Sequence, residues 1–408
     1  MPRAGTHDWP ASQFSRYGPR MTTAAAIPST LTLTDEQQQF VDAIRDFGAR
    51  EAGTREQRDA LTHEGTEQHN TDLYKRFAAL GYVGAAIPEA YGGAGGGLVD
   101  LCLLLDESTK GLLPIAGMSV SLIVAGAYER FGTEAQKQDM LGAIARGDVM
   151  AIAMSEPEAG SDVGALKCKA VREGDGYRIT GHKTWISAAH VAERILLVCR
   201  TDASGSKHEG ITMLEVPADA KGVEIRGIQT MGGKEVNDVW FDDVVVPAEN
   251  LLGEEGNGWI QLMAGLNVER LIIAANMLGL AQRAFDDLLA YVKERKQFGR
   301  PIGSFQVLRH RIADLATEVE CARLLTYDVA RRVDANPGAM FPKEASMAKI
   351  KATEVAKQVT LEGMQMMGGY GYASEYDMEG FVRTALVSSI YGGTNEIQRE
   401  IISKTYGL

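Results

Sequence analysis

The hydrophobic repeat of this chain changes period twice, and that change constrains its fold more than any single motif. From Thr34 to about Arg146 apolar residues return every three to four positions, as Phe40, Ile44 and Phe47 do, behind a Thr34 cap followed by Asp35 and Glu36. A helical domain over residues 31–150 is expected. The run Pro88 to Gly97 interrupts it as a loop, because so many glycines sustain neither regular element, and it lacks the strand and helix that flank a dinucleotide fingerprint. Between Ala151 and Gly253 the pattern shortens to β-rich runs such as Tyr177-Arg178-Ile179, Arg194 to Cys199 and Val239 to Val246. That segment reads as a small β domain over 151–253. From about Gly256 the helical period returns through Leu262, Leu266, Ile273, Met277, Leu280 and Leu288, with further helices before Asn336 and after Pro342. Long helices joined by short breaks predict a bundle over 254–408.

The 408 residues exceed one compact core, in keeping with three units. A net charge of −12 opposes nucleic-acid or anionic-membrane binding, which dense Lys and Arg would supply. Cys102, Cys168, Cys199 and Cys321 have no paired spacing, and the histidines form no HExxH or i, i+4 pair, so neither disulfide nor metal is expected. The apolar stretches read as too short or too interrupted to span a bilayer. Residues 1–30 read as a flexible extension: Arg3, Arg16 and Arg20 fit a weak transit peptide or an alternative start upstream of Met21. The cytoplasm is the default location.

Four segments carry candidate chemistry. Ala153 to Asp162, with Met154, Ser155, Gly160 and Ser161, is a loop offering hydroxyls and backbone N–H groups that can cradle a polar cofactor; a plain capped turn reads the same, and no GxSxG is present. In Lys183-Thr184-Trp185-Ile186-Ser187, strand geometry puts Trp185 and Ser187 on one face, which suits a flat heterocycle or a core tryptophan. Glu294 to Gln306 closes one helix and opens the next; its Arg295 can clamp a pyrophosphate or complement the helix dipole. The last segment pairs Gln365 to Tyr372 with Ile390 to Arg399. Its glycine clusters permit close backbone approach or simply end helices.

In this order and spacing the four segments resemble the acyl-CoA dehydrogenase family from about Leu33 to the C-terminus. The resemblance implies a helical N-terminal domain, a central β-barrel domain and a C-terminal four-helix bundle, assembled as a homotetramer that is a dimer of dimers, with FAD between domains and subunits. By that resemblance Met154 to Ser161 wraps the flavin and its pyrophosphate, Ser155 bonds the ring and Ser161 is shared with coenzyme A. Trp185 and Ile186 border the isoalloxazine, and Ser187 donates to flavin N5. Arg295 and Gln306, with Gln365 to Gly369 and including Gly368, match positions that reach the FAD of a neighbouring subunit. Thr394 and Glu396 match positions at its adenylate half. Acyl-CoA is the implied substrate and an electron-transferring flavoprotein the implied acceptor.

The implied chemistry needs a carboxylate to take the α proton while the β hydrogen leaves as hydride. Many members carry that Glu directly before the Gly-Thr of the last motif, but this chain has Gly392 there, before Gly393 and Thr394. A minority, including the isovaleryl-CoA type, place it in a Leu-x-x-Glu-Arg sequence, which Leu266-Asn267-Val268-Glu269-Arg270 fits. Glu269 lies in an otherwise apolar helical run, where an unmatched carboxylate is costly. Glu269 is therefore the expected base, with Ser161, Asn267, Arg270, Gly392 and Gly393 toward the substrate. Gly392 is read as leaving free volume beside the α and β carbons, which favours a short or branched acyl group. Thr384 stands where the family commonly has Asp, and Met231 to Lys234 departs from its usual turn, so acyl specificity stays open. The alternative is a catalytically silent, flavin-binding subunit of a mixed tetramer, which the presence of Glu269 opposes. Nitroalkane oxidation would conventionally require Asp at 392, and DNA binding a basic patch.

Overall fold

The computed structural model describes residues 31–336 and 338–408; the expected extension over 1–30 lies outside them. Helix α1 (Asp35–Ala52) begins with a reciprocal cap: Gln37 N donates to Thr34 Oγ1 and Thr34 N to Gln37 Oε1, both at 3.2 Å. Helices α2 (Arg55–Thr62), α3 (Thr71–Ala79), α4 (Leu98–Lys110), α5 (Gly117–Phe131) and α6 (Glu134–Ala145) complete the first unit. The Gly-rich run before α4 is a loop with one 3₁₀ turn, Glu89–Tyr91. Val41, Ile44 and Phe47 bury one face of α1 toward α4, which is apolar on nearly all sides from Leu98 to Leu105. It has to be, because α4 sits between α1 and the bundle.

The middle unit is one sheet built from β1 (Met150–Ala153), β2 (Lys169–Glu173), β3 (Gly176–Ser187), β4 (Arg194–Arg200), β5 (Ile211–Pro217), β6 (Val223–Thr230), β7 (Gly233–Pro247) and β8 (Leu251–Leu252). Its order is β6-β7-β3-β2-β4-β5-β8, with β1 added parallel to β4. Tyr177, Ile179, Ile195, Leu197, Leu214, Val239, Phe241 and Val244 alternate inward to form its own core. This core is separate from the helical one.

The last unit starts with α7 (Gly258–Glu294), at 37 residues about 56 Å long. A two-stranded ribbon, β9 (Lys296–Gln297) and β10 (Arg300–Pro301), turns the chain into α8 (Gln306–Ala335). Then come α9 (Pro342–Met367), the single turn α10 (Gly369–Tyr372), α11 (Met378–Val387) and α12 (Asn395–Lys404). Helices α7, α8 and α9 pack on one another, and α11 and α12 lie on α9. Contrary to the expectation for apolar stretches, α7 holds an 18-residue window apolar enough to cross a bilayer, with mean hydropathy 1.2. The cause is its inner position: 61% of that window is buried, and α4, α5, α8 and α9 all pack on it. Where α4 crosses α7 a Cβ on Gly279 would lie 2.2 Å from the Asp106 carbonyl oxygen, so the two backbones meet only because residue 279 is glycine. Asp106 is buried there, bonded by Arg323 at 3.1 Å and Tyr327 at 3.0 Å, which ties the first unit to the bundle.

Candidate active site

The sheet supplies the first wall. After β1 the chain forms the Met154–Asp162 loop, and the buried Glu156 anchors it. The Glu156 carboxylate accepts from Lys167 N at 2.6 Å, Cys168 N at 2.8 Å and the Lys183 ammonium at 2.8 Å. Lys183 also donates to the Met154 carbonyl at 2.8 Å, and Thr184 N donates to the Ser155 carbonyl at 3.0 Å. Burial pushes the Glu156 carboxyl up, but Lys183 and the two backbone donors outweigh it and hold it below the ordinary range. The loop is thereby pinned to β3, with Ser155 partly exposed and Gly160 and Ser161 open to solvent.

Opposite that loop the β3–β7 register slips between Lys183 and Ile186. Trp185 takes φ +61°, a left-handed conformation costly for a bulky residue, and a bulge of this kind re-aims a side chain. Its indole is 60% exposed, with exposed Ser187 beside it, while Ile186 turns into the sheet core and accepts from Asn237 Nδ2 at 2.9 Å through its carbonyl. An open indole, a neighbouring hydroxyl and a fixed loop of backbone amides fit a planar, polar cofactor. Ile186 offers that surface only its backbone. Lys183 and Glu156 were not among the residues singled out in the sequence. Strict alternation puts Lys183 on the face of Trp185, and the bulge instead sends it inside.

The second wall lies in the bundle. Glu269 projects from α7 toward the loop between α11 and α12, where Gly392 (φ +62°) and Gly393 (φ +76°) both adopt left-handed backbone. A Cβ on Gly392 would stand 3.5 Å from Glu269 Oε1 and 2.1 Å from Ile273 Cδ1. The first distance brings Glu269 to the place a side chain at 392 would enter. The second corrects the expectation of free volume: the end of Ile273 fills it. Burial raises the Glu269 carboxyl above its ordinary range, opposed by Arg270 and by Lys349 of α9. Among the described residues none donates a hydrogen bond to that carboxylate. Arg270 is buried, donates to Asn267 Oδ1 at 3.0 Å, and has no partner for Nε. Thr394 caps α12 by accepting from Ile397 N at 3.3 Å, and Glu396 is exposed in the first turn.

The two walls meet. On the sheet side, the Glu235 carbonyl of β7 accepts from Ala188 N at 3.0 Å just past Ser187. Arg383 of α11 donates to the Met231 carbonyl in the β6–β7 turn at 3.0 Å.

A third group sits elsewhere. Arg295 caps the far end of α7, 26 residues beyond Glu269, which is about 39 Å along the helix. It stacks over Tyr370 at 5.2 Å and lines a cavity of about 590 Å³ with Phe298, Phe305, Gly368 and Gly369. Gln306 at the start of α8 and Gln365 near the end of α9 are exposed. This cavity lies far along α7 from Glu269, whose carboxylate stands beside Gly392.

Three family models cover the chain in order: the N-terminal, middle and C-terminal domains of acyl-CoA dehydrogenases, over residues 34–148, 151–244 and 256–407. The chain is 37% identical to the probable acyl-CoA dehydrogenase YngJ of Bacillus subtilis, over 91% of this chain and 98% of that one. It is 36% identical to the short/branched chain specific acyl-CoA dehydrogenase of Bos taurus, over 91% and 86%. Among solved structures, butyryl-CoA dehydrogenase of Megasphaera elsdenii superposes with a TM-score of 0.85 at 33% identity, covering 93% of this chain and all of that one. With the three-unit fold and the site assembled at its junctions, these matches establish that the chain belongs to the acyl-CoA dehydrogenase family, the FAD-dependent oxidoreductases of that name.

Proposed function

We propose that the chain oxidises an acyl-CoA thioester to the trans-2-enoyl-CoA, with Glu269 removing the α proton. The observation that carries this reading is the 3.5 Å between Glu269 Oε1 and the Cβ position of residue 392, because it lets α7 deliver a carboxylate where the neighbouring loop has none. The α C–H of a thioester is a weak acid, so its base must be both ionised and basic. Desolvation raises the basicity of Glu269, while Arg270 and Lys349 keep its charge affordable. A carboxylate that accepts no hydrogen bond from the protein has its lone pairs available for the proton. FAD, when bound, supplies the acceptor for the β hydrogen as hydride.

The Met154–Ser161 loop, Trp185 and Ser187 would hold the reacting end of that cofactor. Arg295 stands about 39 Å from Glu269 along α7; Gly368 and Gly369 line its cavity, and Gln306 and Gln365 adjoin the lining residues Phe305 and Met366, so we assign all five to the FAD of a neighbouring subunit. Thr394 and Glu396 are assigned to the adenylate half, with Ser161, Asn267, Arg270 and Gly393 toward coenzyme A or the acyl group. This division makes the functional unit an oligomer, which we take to be a homotetramer. The name of the Bos taurus relative and the aliphatic wall at Ile273 support a short or branched acyl chain. Electrons then pass to an electron-transferring flavoprotein, and we place the reaction in the cytoplasm.

The test is a panel of straight and branched acyl-CoAs with an artificial electron acceptor and chromatographic detection of the product. Enoyl-CoA formed on at least one short or branched thioester supports the reading. Absence of enoyl-CoA from the whole panel by protein that carries FAD contradicts it.

A further inference from the structure

The Gly392-Gly393 loop is held from beneath by a buried lysine. Lys349 on α9 is fully enclosed, and its ammonium donates to the Gly393 carbonyl at 3.1 Å and to Asn395 Oδ1 at 3.0 Å. Asn395 is itself fixed: its Nδ2 donates to Thr353 Oγ1 at 3.1 Å, and its backbone N donates to the Ser389 carbonyl at 3.0 Å. Gln398 Nε2 donates to the carbonyls of both Gly392 and Gly393 at 3.0 Å. Two successive left-handed glycines would otherwise be free to move, since glycine loses more backbone freedom on ordering than any other residue. Here each carbonyl is tied to a buried donor.

The same ammonium lies in the field of Glu269. The charged groups around the pair are Arg270 on α7, Lys357 on α9 and Glu396 on α12. A fully enclosed lysine is costly to keep charged. Burial draws Lys349 down to about 8, and Glu269 and Glu396 are the charges that favour its protonated form. The cost is consistent with a use for the charge beyond packing, because a neutral amide of similar length could hold the loop by hydrogen bonds alone.

We propose that Lys349 is a positioning residue for α-proton abstraction: it fixes the Gly392-Gly393 loop against the Glu269 carboxylate and provides the buried positive charge that keeps that carboxylate ionised. This rests on Glu269 being the base. The sign follows. Glu269 works deprotonated, so flavin reduction rises with pH through its titration. Removing the Lys349 charge makes the carboxylate harder to ionise, and the acid limb moves to higher pH.

The experiment compares holoenzyme carrying Lys349→Met, Lys349→Gln and Lys349→Arg with wild type, following anaerobic flavin reduction by an accepted acyl-CoA across pH. Lys349→Gln keeps hydrogen-bonding capacity without charge, and it decides the matter if the Met variant does not fold. The expected result is an acid limb displaced upward by about one pH unit in the Met and Gln variants, with a roughly tenfold slower reduction on that limb. The Arg variant should keep the wild-type limb. An unmoved acid limb in folded, flavin-loaded Lys349→Gln overturns the proposal. Glu269→Gln run alongside separates the two readings: if it reduces at the wild-type rate, the assignment of the base has failed, whatever Lys349 does.

Discussion

Replacing Lys183 by Met tests how the loop that faces Trp185 is held. Lys183 and Glu156 are paired at 2.8 Å with side-chain exposures of 0% and 8%, so the pair is inaccessible to solvent screening. Removing one member of a buried pair leaves an uncompensated charge, a loss of roughly 3–5 kcal/mol, and here the Met154 carbonyl also loses its donor. For the middle unit, about 100 residues, such a loss corresponds to a fall in unfolding temperature of at least about 12 °C. Because the affected segment is Met154–Asp162, FAD should dissociate faster from Lys183→Met at temperatures where the fold is intact. Thermal unfolding and the release of flavin fluorescence measure the two effects. The double variant Lys183→Met with Glu156→Gln removes both charges, so its loss should fall short of the sum of the single losses by at least about 1 kcal/mol. Additive losses, or wild-type flavin retention in Lys183→Met, would refute the clamp.

Other expectations can be checked alongside. Arg295→Ala should weaken FAD retention and the oligomer together, as read by flavin absorbance and sedimentation, because its cavity lies at the end of α7 remote from Glu269. Gly392→Glu forces a side chain into left-handed backbone and against Ile273, so the ratio of kcat/KM for branched over straight acyl-CoAs should fall; a constant or rising ratio would detach residue 392 from acyl shape. Ile273→Ala should move the same ratio upward. His69 is held neutral by burial, which lowers it to about 4 against an ordinary value near 6.5. The unfolded chain therefore takes up this proton first as pH falls, and stability should drop by roughly 1.4 kcal/mol per pH unit from about 6.5 to about 4. In His69→Gln, denaturation midpoints should lose that component of the slope.

The two changes of hydrophobic period were enough to place helices, sheet and helices in order, because core-facing residues repeat with the geometry of the element that buries them. Phe40, Ile44 and Phe47 mark α1 in this way, and the Thr34 cap marks its start. Local pattern failed where a tertiary contact decides. The β3 bulge turns Lys183 inward and Trp185 outward, although alternation puts them together. Gly392 suggested empty space because a sequence does not show that Ile273, more than a hundred positions earlier, fills it. The Leu-x-x-Glu-Arg pattern and the missing carboxylate at 392 point to Glu269, and the fold brings its carboxylate to 3.5 Å from the Cβ position of residue 392. Lys349 was not legible, since a lysine amid Ala348, Ile350 and Ala352 reads as an exposed helical position until α7 and α12 close over it. The α7 window that resembles a membrane span shows the same limit: an inner helix and a spanning helix have similar composition.

The most direct measurement of the central claim is anaerobic reduction of the bound flavin by an accepted acyl-CoA in Glu269→Gln. The substitution keeps shape and volume and removes basicity. With Glu269 as the base, the reduction rate falls by roughly 10²–10⁴-fold while FAD content and the oligomer stay at wild-type levels. Reduction at the wild-type rate in that variant would contradict the assignment and return the chain to a family member whose base lies elsewhere.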